Sequence, residues 1–160
     1  MEIICCLDEQ LELSRQENSN LILKYLGKHD DFYLDVLTGA YNRRFYEEKI
    51  KHQTTPAGIV MLDVDDFKIY NDTFGHDFGD RVLKMIVEHI KNSLRNQDKL
   101  IRYGGDEFII YLPNIEIEDF YLIMQNILEN IHHATIRRYE SVQFSLSAGI
   151  TMYQLSLIHI

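Results

Sequence analysis

The chain has 160 residues, of which 46% are hydrophobic, and carries a net charge of −9 from 25 acidic residues against 16 Lys and Arg. This length is enough for one sizeable core and too short for two ordinary domains, while the acidic balance argues against an extended nucleic-acid surface. No apolar run approaches the ~20 residues of a membrane span, and adjacent Cys5 and Cys6 indicate reduced thiols, so we expect a cytoplasmic protein with neither nucleic acid nor membrane as a partner.

The first predicted element is a helix from about Leu7 to Phe32. This segment lacks Pro, and Leu11, Asn18 and Tyr25 recur at sevenfold spacing. Two interpretations stay open. The helix is either a parallel coiled-coil arm that pairs two chains, with Asn18 setting the register, or an amphipathic helix packed on its own domain. We assign residues 1–33 to this N-terminal signalling helix.

The next segments alternate between helix and strand. Asn42 can cap a helix that runs to about Lys51. The apolar run 57–65 is typical of a strand buried on both faces, with Asp63 at its carboxyl end. A short helix starts near Asp65, and its first N–H groups are suited to receive a phosphate.

A loop over residues 75–80 is predicted before a core-facing helix, in which apolar residues recur at three- and four-residue intervals from Val82 to Leu94. The remaining predicted elements are strand Lys99–Tyr103, strand Phe108–Leu112, helix Ile117–His132 and strand Val142–Tyr153. Helices and strands are thus mixed around one mostly antiparallel sheet with a hairpin in its middle. The fold class is predicted as α+β, an α/β sandwich with flanking helices.

The tip of the predicted hairpin joins two glycines to two acids. Gly104 and Gly105 allow a backbone φ above zero and close approach of a ligand, while Asp106 and Glu107 would repel each other unless a cation or polar ligand is held there. The alternative for these residues alone is an ordinary hairpin with solvated acids.

A second acid completes a candidate metal site. If the strand that ends at Asp63 lies beside the hairpin, its carboxylate converges with that of Asp106, and the Val64 carbonyl adds a further oxygen. Such a site suits Mg²⁺ or Mn²⁺ bridging to phosphates. An EF-hand is excluded because Phe67 and Lys68 occupy positions that require an acid and a glycine, and no Walker loop occurs.

Four motifs in the chain share the order and spacing of one known family. They are Asp35-x-Leu37-Thr38-Gly39-x-x-Asn42-Arg43-Arg44, Asp63-x-Asp65-x-Phe67-Lys68-x-x-Asn71-Asp72, Gly75-His76-x-x-Gly79-Asp80 and Arg102-Tyr103-Gly104-Gly105-Asp106-Glu107-Phe108. Together they resemble the GGDEF domain, the diguanylate cyclase family of bacterial signalling proteins, over about residues 34–154. Four collinear matches are a far more specific signal than one.

The resemblance implies a fold similar to adenylyl cyclases and the polymerase palm, and a reaction that joins two GTP molecules into cyclic di-GMP with release of two pyrophosphates. Each chain would hold one GTP, so catalysis would need a homodimer. By similarity, Asp63, the Val64 carbonyl and Asp106 would hold Mg²⁺ or Mn²⁺. The implied catalytic residues are Asp106, which would accept a hydroxyl proton, with Glu107 and Lys68.

The same resemblance assigns contacts to the nucleotide. Asn71 and Asp80 would hydrogen-bond the guanine edge and reject adenine. The implied substrate-binding residues are Asp66, Phe67, Lys68, Asn71, Asp80, Gly104 and Gly105. Arg95 and Asp98 match the family's inhibitory site for the cyclic product, and the alternative is a pair of solvated charges on a turn.

Family members continue past the strand ending near Tyr153 into another helix and strand, so we expect a C-terminally incomplete domain with apolar surface uncovered near 117–132 and 142–153. Residues 155–160 read Leu-Ser-Leu-Ile-His-Ile, which a transposase end sequence can encode, and we interpret them as a non-native tail. Besides an enzyme, two functions stay open: a noncatalytic module that binds GTP or cyclic di-GMP, and an inactive fragment.

Overall fold

A computed structural model describes residues 32–137, 139 and 141–153. Nearly all of the predicted N-terminal helix and the whole of the predicted tail lie outside these residues. The chain divides into two compact units, Met1–Leu34 and Asp35–Ile160, and the second contains every element below. Within the described ranges, no helix is long and apolar enough to cross a membrane.

One mixed sheet organises the second unit. Its strands are β1 (Tyr41–Asn42), β2 (Ala57–Val64), β3 (Lys99–Arg102), β4 (Glu107–Pro113) and β5 (Leu146–Tyr153). The strand order is β1-β3-β4-β2-β5, and only the β1–β3 pair is parallel. The predicted α+β class and the interior hairpin β3–β4 are therefore confirmed.

The helices flank this sheet. They are α1 (Arg43–Phe45), which continues as a π-helical segment Tyr46–Ile50, then α2 (Phe67–Phe74), α3 (His76–Ser93) and α4 (Ile117–His132). The predicted cap is present, since the Asn42 side chain accepts a hydrogen bond from the Phe45 N–H at 3.1 Å. Helix α4 has the predicted bounds.

Two predicted boundaries are wrong. Residues 75–80 are not a loop, because α3 begins at His76 and only Gly75, at φ 87°, separates it from α2. Asp77 in the first turn of α3 suits the helix dipole there. Strand β5 starts at Leu146 and not at Val142, because the buried Phe144 is part of the aromatic cluster against α2 and α3.

The sheet has a core on each face. Along β4, Phe108, Ile110 and Leu112 contribute to the large helix-covered core, while Ile109 and Tyr111 join the smaller cluster on the opposite face. This alternation is what a strand covered on both sides requires. The β3–β4 hairpin is therefore anchored by apolar contacts on both of its faces.

Strand β2 departs from the expected burial. Its first half is buried on both faces, but Met61 is 41% exposed and Asp63 is also exposed. Apolar exposure was expected on α4 and β5, and it is found there. The exposed side chains are Ile117, Tyr121, Leu122 and Leu128 on α4 and Ile150 on β5.

Candidate functional site

The antiparallel pairing of β2 with β4 brings the two motif acids to one end of the sheet. Asp63 lies directly opposite Glu107, and one residue further the Val64 N–H donates to the Asp106 carbonyl at 3.2 Å. The strand that ends in Asp63 thus lies beside the hairpin, as the sequence predicted. The residue opposite Asp63, however, is Glu107 and not Asp106.

The electrostatics at this end of the sheet favour a cation. Desolvation, followed by repulsion from Asp106 and Asp65, raises the pKa of Asp63 above its usual value. Among the described residues, no side chain donates a hydrogen bond to Asp63. The described part of the chain holds no cluster of three His, Cys, Asp or Glu ligands. Two carboxylates and the Val64 carbonyl still fit a hard divalent cation that completes its shell with phosphate or water oxygens.

The two glycines of the tip do not have the expected backbone. Neither Gly104 nor Gly105 has a left-handed φ. A Cβ on Gly104 would lie 2.5 Å from Oε2 of Glu107 and would displace that carboxylate, whereas a Cβ on Gly105 would meet nothing within 4 Å. Gly104 therefore makes room for the folded-back Glu107 carboxylate, and Gly105 leaves an open approach to the tip.

Arg102 supports the tip from β3, a role that the sequence did not reveal. Its Nε and Nη2 donate to the Gly105 carbonyl at 3.1 and 2.6 Å. The Tyr103 and Gly104 N–H groups both donate to the Glu107 carbonyl, at 2.8 and 3.2 Å. The turn that carries Asp106 is thus closed by hydrogen bonds on both of its sides.

The predicted guanine readers lie on adjoining helices. A Cβ on Gly79 would overlap Oδ1 of Asn71, so the Asn71 amide lies directly on the Gly79 backbone. Asp80 follows in the next position of α3 and is exposed. The missing Cβ of Gly79 is therefore what lets α2 place the Asn71 amide against the residue that precedes Asp80.

The predicted phosphate contacts lie at the start of α2. Asp66 precedes the helix at φ 57°, a left-handed conformation uncommon outside glycine, and it makes no side-chain cap. The Asp66 and Phe67 N–H groups precede the first intrahelical hydrogen bond, which runs from Tyr70 N–H to the Asp66 carbonyl at 3.1 Å. Lys68 is exposed in the first turn. These groups suit an anionic ligand.

Asp98 is not a solvated charge, and Arg95 is paired with it. The Asp98 side chain is fully buried and accepts from the Arg95 backbone N–H at 2.8 Å and from Nη2 at 2.7 Å. Arg95 Nη2 also donates to the Pro113 carbonyl at 3.1 Å. Hydrogen bonding to Asp98 raises the pKa of the guanidinium. The Arg95 side chain is 35% exposed.

The sequence matches the profile of one known protein family. The sequence profile of the family described as "Diguanylate cyclase, GGDEF domain" matches residues 32–157. The chain belongs to the GGDEF domain family. The match includes the hairpin, α2, α3 and both acid-bearing strands, so the family assignment covers every site residue described above.

Curated relatives agree with this assignment. The chain is similar to diguanylate cyclase DosC of Escherichia coli, with 34% identity over 129 residues that cover 75% of this chain and 28% of DosC. It is 32% identical to the protein YhcK of Bacillus subtilis over 151 residues, or 88% of this chain and 42% of YhcK. The chain therefore spans less than half the length of these relatives.

Solved GGDEF structures show the same fold. Diguanylate cyclase SiaD of Pseudomonas aeruginosa, solved with its activator SiaC, has a TM-score of 0.76 at 29% identity, covering 97% of this chain and 63% of SiaD. The GGDEF domain of YfiN from the same organism has a TM-score of 0.66 at 34% identity, covering 75% of each chain.

Proposed function

We propose that this chain is a diguanylate cyclase domain that condenses two GTP molecules into cyclic di-GMP and two pyrophosphates. The observation that carries the proposal is the pairing of β2 with β4, which brings Asp63, the Val64 carbonyl and Asp106 to one end of the sheet. Every residue that the family motifs require at this end is present. In each half-reaction a 3′-oxygen attacks an α-phosphorus, a P–O bond forms and pyrophosphate leaves.

The carboxylates supply the negative charge that a divalent cation requires. When bound by Asp63, the Val64 carbonyl and Asp106, Mg²⁺ or Mn²⁺ would neutralise the triphosphate. Asp106 accepts the proton of the attacking 3′-hydroxyl. Glu107, directly opposite Asp63, adds a second acidic group at the tip.

Helices α2 and α3 orient the nucleotide. The N–H groups of Asp66 and Phe67, with the Lys68 ammonium, hold the β- and γ-phosphates. Asn71 and Asp80 hydrogen-bond the guanine edge, and adenine is rejected because it leaves their polar atoms unpaired. One chain supplies one such site, so two chains face each other for catalysis, and the N-terminal segment would regulate how often they do.

The deciding experiment follows cyclic di-GMP by chromatography after incubation with GTP and Mg²⁺ or Mn²⁺. The 160-residue chain is tested beside a version lengthened by the C-terminal helix and strand expected in the family. We expect product that Asp106→Ala abolishes and that ATP does not yield. Absence of product from both versions, with retained binding of cyclic di-GMP that depends on Arg95, would instead identify a noncatalytic regulatory module.

We also propose that Arg95 and Asp98 form an inhibitory site for the product. The geometry that supports this is the partly exposed Arg95 side chain, whose Nη2 lies 2.7 Å from the Asp98 carboxylate. Arg95→Ala is expected to relieve product inhibition, and Arg95→Lys to relieve most of it because a lysine cannot make the forked contact. Unchanged inhibition in both variants would contradict this site.

A further inference from the structure

Asp63, near the end of β2, and Asp65, just after it, have very different surroundings. The Asp65 carboxylate accepts hydrogen bonds from the Ser145 hydroxyl at 2.7 Å and the Ser147 hydroxyl at 2.6 Å. Its backbone N–H donates to the Ser145 carbonyl at 3.2 Å. Three hydrogen bonds therefore tie Asp65 to the start of β5.

The strand register shows that the Ser147 hydroxyl does not donate to the acid it faces. Ser147 lies opposite Asp63 in the β2–β5 pairing, yet its hydroxyl donates to Asp65. Across the described ranges no side chain donates to Asp63. The two serines thus separate the acids into one that is anchored and one that is left available for a ligand.

The anchored acid precedes a strained turn. Asp66 has φ 57°, and the next residue, Phe67, begins α2. A left-handed non-glycine residue persists only where its neighbours hold it in place, and such residues cluster at functional sites. Ser145 and Ser147 hold Asp65 on one side of the turn, and the hydrogen bond from the Tyr70 N–H to the Asp66 carbonyl holds the other.

We propose that Ser145 and Ser147 are positioning residues for the nucleotide triphosphate. By fixing Asp65 they orient the Asp66 and Phe67 N–H groups toward the phosphates, and they keep the Asp65 carboxylate out of the cation's ligand set. This role rests on the proposed function, because it requires that those N–H groups bind phosphate.

The test uses the double variant Ser145→Ala/Ser147→Ala in the 160-residue chain. Both serines are exposed, so the variant is expected to fold. Calorimetry with the α,β-methylene analogue of GTP and Mg²⁺ is expected to show binding about tenfold weaker, the effect of losing hydrogen bonds to a charged group. Hydrogen exchange at the Asp65 amide is expected to accelerate. In whichever of the two chain lengths makes cyclic di-GMP, the double alanine variant is expected to raise KM for GTP about tenfold while kcat changes less.

Two matched controls separate positioning from general damage. Ser145→Thr/Ser147→Thr keeps both hydroxyls, one just before β5 and one within a strand that tolerates threonine, and it is expected to bind like the parent. Thr151→Ala removes a hydroxyl from the same strand away from the site and is also expected to be neutral. If the double alanine variant does not fold, the single alanine variants replace it.

Several results would overturn the positioning role. One is an alanine pair that binds the analogue with the parent's affinity, and another is a threonine pair that loses as much affinity as the alanine pair. If the parent neither binds the analogue nor makes cyclic di-GMP, the proposed function fails and this role fails with it. An active parent with unaffected alanine variants removes the positioning role alone.

Discussion

The Arg102 guanidinium connects Asp35, the first residue of the second compact unit, to the hairpin that carries Asp106. Its Nη1 lies 3.1 Å from Oδ1 of Asp35, while its other nitrogens donate to the Gly105 carbonyl at 2.6 and 3.1 Å. The same Asp35 oxygen accepts from the N–H and hydroxyl of Thr38 at 2.9 and 2.6 Å. The turn before β1 and the tip are therefore joined through one forked side chain.

Replacing Arg102 with lysine tests this connection. Lysine keeps the charge but has one donor nitrogen, so it cannot bind Asp35 and Gly105 in the same geometry. We expect Arg102→Lys to cost about 1 kcal/mol of stability in urea unfolding and to lower kcat about tenfold with a smaller change in KM. Arg44→Lys, at an exposed ion pair with Glu48, is the control and is expected to retain activity. Unchanged kcat in Arg102→Lys would refute the connection.

The loss of folding stability at acidic pH is expected to depend on Asp35. Partial burial alone would raise its pKa, but hydrogen bonds from Thr38 and Arg102 outweigh burial and lower it. A lowered folded-state pKa means that the contribution is complete above the unfolded value near pH 4 and is lost as pH falls through the folded value. Asp35→Asn should therefore reduce the free energy of unfolding at pH 7 by up to about 1 kcal/mol and by less at pH 3. An equal loss at both pH values would contradict this.

Gly79→Ala is expected to separate stability from substrate binding. Alanine is favoured over glycine inside a helix by up to about 1 kcal/mol, which offsets the strain of a Cβ 3.2 Å from Phe67 Cζ. The same Cβ must displace the Asn71 amide. The melting temperature should change little, while KM for GTP rises roughly five- to tenfold. Adding Asn71→Ala should cause little further loss, and fully additive effects would show that Gly79 acts elsewhere.

An aromatic cluster packs against α2 and α3, the helices that carry Asn71 and Asp80. Phe78 is 2% exposed, and its ring lies 4.8 Å from that of Phe74 and 4.5 Å from that of Tyr139. Phe78→Ala is expected to cost about 3–5 kcal/mol in chemical denaturation. Phe74 is 39% exposed, so Phe74→Ala should cost clearly less. Equal losses would show that burial does not set the contribution of these rings.

Local patterns predicted a large part of this domain. The apolar periodicity of α4 predicted its bounds, and turn residues between two branched, apolar runs predicted the β3–β4 hairpin. Asp63 lies near the end of one strand and Asp106 lies at a hairpin tip. These positions predicted that the two acids would lie at the same end of the sheet. These features depend on residues close together in the chain, where periodicity and turn chemistry carry the information.

The remaining features depend on contacts between distant residues. Asp35 and Arg102 are 67 positions apart, and Asp65 is 80 and 82 positions from Ser145 and Ser147. The sequence by itself determined the family, the fold class and the acids of the site. Only the tertiary structure decided which of the acids at the end of β2 the two serines anchor, because strand register and long-range hydrogen bonds follow from how the whole sheet assembles.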